Sequence, residues 1–227
     1  MLDTILFDLD GTLLDTNELI IESFKHALNF HQLEPVSREM IIAQMGRPLS
    51  EMMTLFSKRV DVAEMVKTYR EFNIRRHDEM VLIFPHVKEA IIALHAKGLK
   101  LGVVTSKVRL TVRRGLELFG LDPYLSAIVT SDDVSEPKPH PESVLLALDR
   151  LGSKPENALM VGDSQFDLLA AKGAGVRSAG VAWSLQGEVF LSQFNPNYIL
   201  RDMFELLEIV AQDSDEVVIG DSLRGNL

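Results

Sequence analysis

The sequence predicts an α/β protein: a parallel sheet with helices on both faces and a helical unit inserted after its first strand. Three observations predict it. Short runs that are apolar throughout recur along the chain, segments with helical spacing separate several of them, and residues 15 to 80 carry helical spacing with no convincing strand. Strands apolar on both faces, alternating with helices, belong to a parallel sheet covered on both sides.

The strand candidates are "TILF" (4–7), "LGVVT" (101–105), "SAIVT" (126–130), "ALMVG" (158–162), "SAGVA" (178–182) and the weaker "NYIL" (197–200). Between them, "HVKEAIIALHAKG" (86–98) puts Val87, Ile91 and Leu94 on one helix face, with Gly98 as a stop. "VRLTVRRGLELFG" (108–120) and "PESVLLALDRLG" (141–152) read the same way. Within the insert, four helices are expected at 17–31, 39–45, 49–59 and 61–80, with Met45-Gly46-Arg47-Pro48 as the clearest loop. So long a stretch is too long for a plain connection. The expected organisation is a Rossmann-like core at 1–14 and 81–212, a helical cap at 15–80 and a flexible tail at 213–227. The junctions near Leu14–Thr16 and Met80–Pro85 are then natural hinges.

Composition narrows the class. Apolar residues make up 46% of 227, enough for a substantial core. Cysteine is absent, which excludes disulfides and thiolate zinc sites. No apolar run approaches the roughly 18 residues of a membrane span. The Met-Leu-Asp-Thr start shows no basic region and no signal-like block. A soluble, cytoplasmic protein is expected, without a membrane partner. The net charge of −10 argues against nucleic acid as a partner. It leaves room for a small anionic ligand, because local lysines and a cation reverse the field inside one pocket. The sequence sets no oligomeric state.

In open α/β sheets, ligands bind beyond the carboxyl ends of the strands. The first strand candidate runs into Asp8 and Asp10, the second into Thr105-Ser106-Lys107, the third into Thr130-Ser131-Asp132-Asp133 with Lys138 beyond, and the fourth into Asp163 with Asp167 following. Each has an ordinary explanation when taken alone. Asp-Gly forms turns, Thr105 and Ser106 can cap a helix, and Asp163 and Asp167 suit a helix's first turn. Four such groups in order, each after a strand, point instead to one shared site.

Asp8-Leu9-Asp10-Gly11-Thr12, Thr105, Lys138 in "KPHPE", and Gly162-Asp163 with Asp167 together resemble the phosphatase branch of the haloacid dehalogenase superfamily. The resemblance spans residues 4 to about 210, and the insert resembles that superfamily's first cap class. It implies an Mg²⁺-dependent phosphohydrolase with Asp8 as nucleophile, forming an aspartyl phosphate, and Asp10 as general acid. It also implies a metal held by the Asp8 side chain, the Asp10 carbonyl and Asp163, with Asp167 close by. Lys138, Thr105 and Ser106 would hold the phosphoryl group.

The cap decides the substrate. Asn17, Glu18, Arg47, Arg70, Arg75, Arg76 and His77 are the candidates for contact, since arginine suits a doubly anionic substrate. "TNELIIESF", "YREFN" and "GVAW" resemble the superfamily's bacterial inorganic pyrophosphatases, which are close to its phosphoglycolate phosphatases. Pyrophosphate is therefore the expected substrate, with phosphoglycolate or another small phosphomonoester second. A β-phosphoglucomutase shares the same motifs. A phosphate-receiving or binding protein is the alternative from another class, and repeated release of phosphate separates it from an enzyme.

Overall fold

The computed structural model describes residues 1 to 224. The chain begins with β1 (Thr4–Phe7), whose four residues are fully buried. A two-residue strand β2 (Leu14–Asp15) leads into α1 (Asn17–Phe30), α2 (Arg38–Ile42), α3 (Leu49–Ser57) and α4 (Ala63–Met80). A second two-residue strand, β3 (Leu82–Ile83), returns the chain to the core. There follow α5 (Val87–Ala96), β4 (Lys100–Val104), α6 (Arg109–Phe119), β5 (Ala127–Val129), α7 (Glu142–Leu151) and β6 (Ala158–Gly162). The last elements are α8 (Gln165–Gly173), β7 (Arg177–Val181), α9 (Glu188–Ser192), β8 (Tyr198–Leu200) and α10 (Glu205–Arg224).

Six strands form one parallel sheet in the order β5-β4-β1-β6-β7-β8. The chain builds outward from β1 through β4 to β5, then returns to β1's other side with β6. The reversal at β1 and β6 is the topological switch point, where strand ends splay and leave a crevice. In the register, Phe7 pairs with Val103 on one side and Val161 on the other. Asp8, Thr105 and Asp163 therefore leave the sheet along one edge.

Each sheet face has its own core. Ile5, Phe7, Leu101, Val103, Leu159 and Val161 pack on one side. Leu6, Val104, Val129, Met160, Val144 and Leu148 pack on the other. This is the two-sided burial that the uniformly apolar runs predict. Helix ends follow the glycines: Gly120 and Gly152 close α6 and α7 in left-handed conformation, and Gly98 turns just beyond α5.

Helices α1 to α4 bury a third cluster of their own, centred on Phe24, Met53, Met65 and Tyr69. Met52 and Met53 are core filler there. The insert is thus an all-helical cap, joined to the core by the antiparallel pair β2 and β3. That ribbon lies at the two junctions expected as hinges. Two-residue strands carry no periodicity to read. The expected tail differs: α10 continues through Arg224, and Asp213 accepts hydrogen bonds from the Leu2 N–H and from Arg177 Nη1. The rest of that expected tail, residues 225–227, lies outside the described residues.

Candidate active site

The strand ends converge as the register requires. Lys138 reaches under the sheet edge, almost fully buried, and its ammonium meets three acceptors: Asp8 Oδ1 at 2.7 Å, Asp167 Oδ1 at 2.5 Å and the Val104 carbonyl at 3.1 Å. An ammonium has three hydrogens, so every donor is used. Lys138 thereby fixes one oxygen of Asp8 and leaves the other free. Burial works against the lysine's charge, but Asp167 and Asp8 outweigh it and hold Lys138 above its ordinary value.

Asp167 does two jobs. Its Oδ2 accepts from the Ser164 N–H at 3.1 Å and the Ser164 hydroxyl at 2.6 Å, closing a capping box at the start of α8. Its Oδ1 holds Lys138. Asp163 faces Asp8 from the next strand. Burial first, then the Asp8 and Asp167 charges, push the Asp163 carboxyl well above its ordinary value. The same burial pushes Asp8 up to about 7, partly offset by Lys138. Gly11, at φ +81°, admits this crowding: a Cβ there would lie 2.3 Å from Asp163 Oδ2.

Asp8, Asp163 and Asp167 each place a carboxylate oxygen within 4.8 Å of the others. With Asp10 they are four acids facing two bonded ammonium groups, Lys138 and Lys107, so with every acid ionised the site would be short of two positive charges. An all-oxygen donor set short of two positive charges fits a hard divalent cation.

Thr105 is buried at the end of β4, and its Oγ1 accepts from the Lys107 N–H at 3.2 Å. Ser106 donates from its hydroxyl to the Gly46 carbonyl in the cap, 3.3 Å away. Arg47 lies over the Phe166 ring at 5.3 Å and approaches Glu51 at 3.7 Å. The expected phosphate-site residues Ser106 and Arg47 therefore both sit where cap meets core.

A cavity of about 490 Å³ lies between the two. Its floor is Asp8, Asp10, Thr105, Lys138 and Asp163. Its cap wall is largely apolar, including Ile20, Phe24, Leu49, Met52 and Tyr69. Of the cap candidates, Arg47 and Arg70 line it. The others do not line it. Glu18 pairs with Arg38, Arg76 with Glu79 at 2.8 Å, and Arg75 lies over Phe72. Asn17 is buried at the start of α1, and His77 is buried beside Gly115, bonded to Asp78. At β5, Asp132 accepts from the Arg109 N–H at the start of α6. Asp133 ties Thr130, Arg109 and Arg150 together, so its work is structural.

Two cavity residues were not singled out by sequence. Lys107 bonds Asp10 Oδ1 at 2.6 Å. Asn73 lines the cap wall, held by the Ser23 hydroxyl at 3.2 Å. Lys107 follows directly on Thr105 and Ser106, so its place at a strand end was the available signal.

A parallel sheet with acids, a threonine and a lysine at its switch point, under a helical cap, defines a class of hydrolase. The family model for haloacid dehalogenase-like hydrolases matches residues 5–181, and the chain belongs to that family. It is 46% identical to a protein named pyrophosphatase PpaX from Anoxybacillus flavithermus, over 94% of this chain and 99% of that one. It is 44% identical to a PpaX of Oceanobacillus iheyensis, over 91% and 96%. Among solved structures it resembles a predicted phosphatase from Clostridium acetobutylicum at 26% identity and TM-score 0.83, covering 93% of this chain and all of that one. It also resembles a predicted phosphoglycolate phosphatase from Haemophilus somnus at 28% identity and TM-score 0.79, covering 92% and 98%. No helix among the described residues is long and apolar enough to cross a membrane.

Proposed function

We propose that the chain hydrolyses pyrophosphate through a phosphoryl-enzyme formed on Asp8. The observation that carries this is the Asp8 carboxylate itself, held by Lys138 through one oxygen at 2.7 Å beside Asp163, on the floor of the capped cavity. The free Asp8 oxygen attacks phosphorus; an O–P bond forms and the bridging P–O bond breaks. The leaving oxygen takes its proton from Asp10. Water then attacks the phosphorus of the aspartyl phosphate, Asp10 takes the water's proton, and phosphate departs with the Asp8 carboxylate restored.

Thr105 and the N–H groups after β4 cradle the phosphoryl oxygens. Lys138 keeps Asp8 aimed while Asp167 keeps Lys138 aimed. Mg²⁺ held by Asp8, the Asp10 carbonyl and Asp163 would neutralise charge on the phosphoryl oxygens. Residues 15 to 80 act as the cap, with Arg47 and Arg70 as its cations toward the substrate. The reaction is placed in the cytoplasm.

The high identity to proteins named pyrophosphatase supports pyrophosphate as the substrate. The apolar cap wall and the cavity volume support a second reading, a small organic phosphomonoester such as phosphoglycolate. A phosphate-release panel with and without Mg²⁺ separates the two. Preference for pyrophosphate by kcat/KM upholds the first, and preference for an ester upholds the second. Absence of release from every substrate in Mg²⁺ refutes both.

A further inference from the structure

We infer that Lys107 is a positioning residue that sets the orientation of the Asp10 carboxyl toward the leaving oxygen. The inference rests on the proposed role of Asp10 as general acid and assigns that acid a support of its own.

The Lys107 ammonium bonds Asp10 Oδ1 at 2.6 Å, with both side chains mostly buried, 12% and 20% exposed. Among the described residues no other side chain hydrogen-bonds that carboxylate. The lysine's own backbone is tethered twice. Its N–H donates to Thr105 Oγ1 at 3.2 Å, and its carbonyl accepts from the Ser131 N–H at 3.0 Å. These tie it to the ends of both β4 and β5. Both Lys107 and Asp10 line the cavity. A long flexible side chain costs rotamer entropy to hold in one place, and here the sheet edge supplies a rigid base for it.

The ammonium holds Oδ1 in place, which leaves Oδ2 as the oxygen turned toward the leaving group. In the first step the Asp8–phosphorus bond forms and the bond to the leaving oxygen breaks. In its proposed role as general acid, Asp10 gives its proton to that leaving oxygen as the electron pair of the broken bond arrives there. Without Lys107 the carboxyl rotates about Cβ–Cγ and presents the proton in fewer conformations. The loss falls on leaving groups that need the proton, and least on those stable as anions.

The test compares kcat/KM for phosphoglycolate, whose leaving group is an alkoxide, with kcat/KM for p-nitrophenyl phosphate. kcat/KM reports only the steps through phosphoryl transfer. Wild type, Lys107→Met, Lys107→Arg and Asp10→Asn are measured in Mg²⁺, each with a thermal midpoint to establish folding. Lys107→Met is expected to lose about tenfold more on phosphoglycolate than on the aryl ester, a part of the 10²–10⁴ that general acids supply. Lys107→Arg, which keeps the donors, should recover most of that difference. Equal losses on both substrates would mean that Lys107 binds the phosphoryl group instead, and would overturn the inference. If Asp10→Asn discriminates between the substrates but Lys107→Met does not, the inference fails while the role of Asp10 stands. If Asp10→Asn shows no discrimination, both fail together.

Discussion

Asp8 and Asp163 are acids placed where acids are unstable, and that has a measurable consequence. Burial, helped by neighbouring carboxylates, moves Asp8 from an ordinary 3.8 to about 7 and moves Asp163 in the same direction. Between those values the folded chain keeps a proton that the unfolded chain has released. Their contribution to stability without metal therefore falls as pH rises from about 4 to about 7, opposed in the upper part of that range, among the described residues, by His77 alone, which burial holds below its ordinary value. The lowered acids Asp78, Asp133 and Asp213 act below that window, where their contribution is lost as pH falls. Thermal midpoints in chelator should decline across the window. Added Mg²⁺ should raise them most at its upper end, where the ligands are ionised; a flat or rising profile in chelator would contradict this. At this scale the sequence was most readable. Asp8, Asp10 and Asp163 announce themselves because they follow directly on apolar runs, and Lys138 because it sits in the KPHPE loop beyond one. The double duty of Asp167 and the pairing of Lys107 with Asp10 were not legible. They depend on distances between segments far apart in the chain.

Among the elements, the start of α8 couples helix stability to the site. Asp167 both caps α8 and holds Lys138. Asp167→Ala removes the N3 half of the capping box, worth about 1 kcal/mol, and leaves a buried ammonium with one carboxylate fewer. A total loss of roughly 2–4 kcal/mol is expected in urea unfolding, together with a large fall in kcat. Asp167→Asn, whose amide oxygen can still accept from the Ser164 N–H, should recover part of the stability but not the rate. The six core strands and the helices α5, α6 and α7 were legible to within a residue or two, whereas α8 and α9 were not read as helices. TILF and ALMVG coincide with β1 and β6, because a run buried on both faces leaves little choice of boundary. The β2–β3 ribbon was not legible, since two residues make no pattern. The helical reach of α10 through an acidic segment was hidden by a composition that reads as solvated chain, whereas Asp213 is held there by Arg177 and the Leu2 N–H.

At the level of the whole molecule, cap and core meet at Gly46. Its φ is +97°, and a Cβ there would come within 2.7 Å of Phe166 and 2.8 Å of the Ser164 hydroxyl. Its carbonyl accepts the Ser106 bond, and Arg47 beside it lies over Phe166. A side chain at 46 would prop the cap off the core and admit water. Gly46→Val should lower kcat about tenfold or more, as expected when a misplaced segment spoils alignment. Its thermal midpoint should also fall, because Val at a positive φ strains the loop beside the cap's own core, while far-UV circular dichroism should show the helices intact. An unchanged kcat would show that the contact does not matter to turnover. The insertion of the cap was legible as a long helical stretch, but which of its arginines face inward was not, because helical spacing alone does not say what the other side of a cleft presents. The whole account depends on Asp8 taking the phosphoryl group. The most direct measurement is rapid acid quench during the first turnover of pyrophosphate, followed by mass spectrometry of the peptide containing Asp8. A transient phosphoryl adduct on Asp8, absent in Asp8→Asn along with turnover, is the predicted result; sustained turnover by Asp8→Asn would contradict the account.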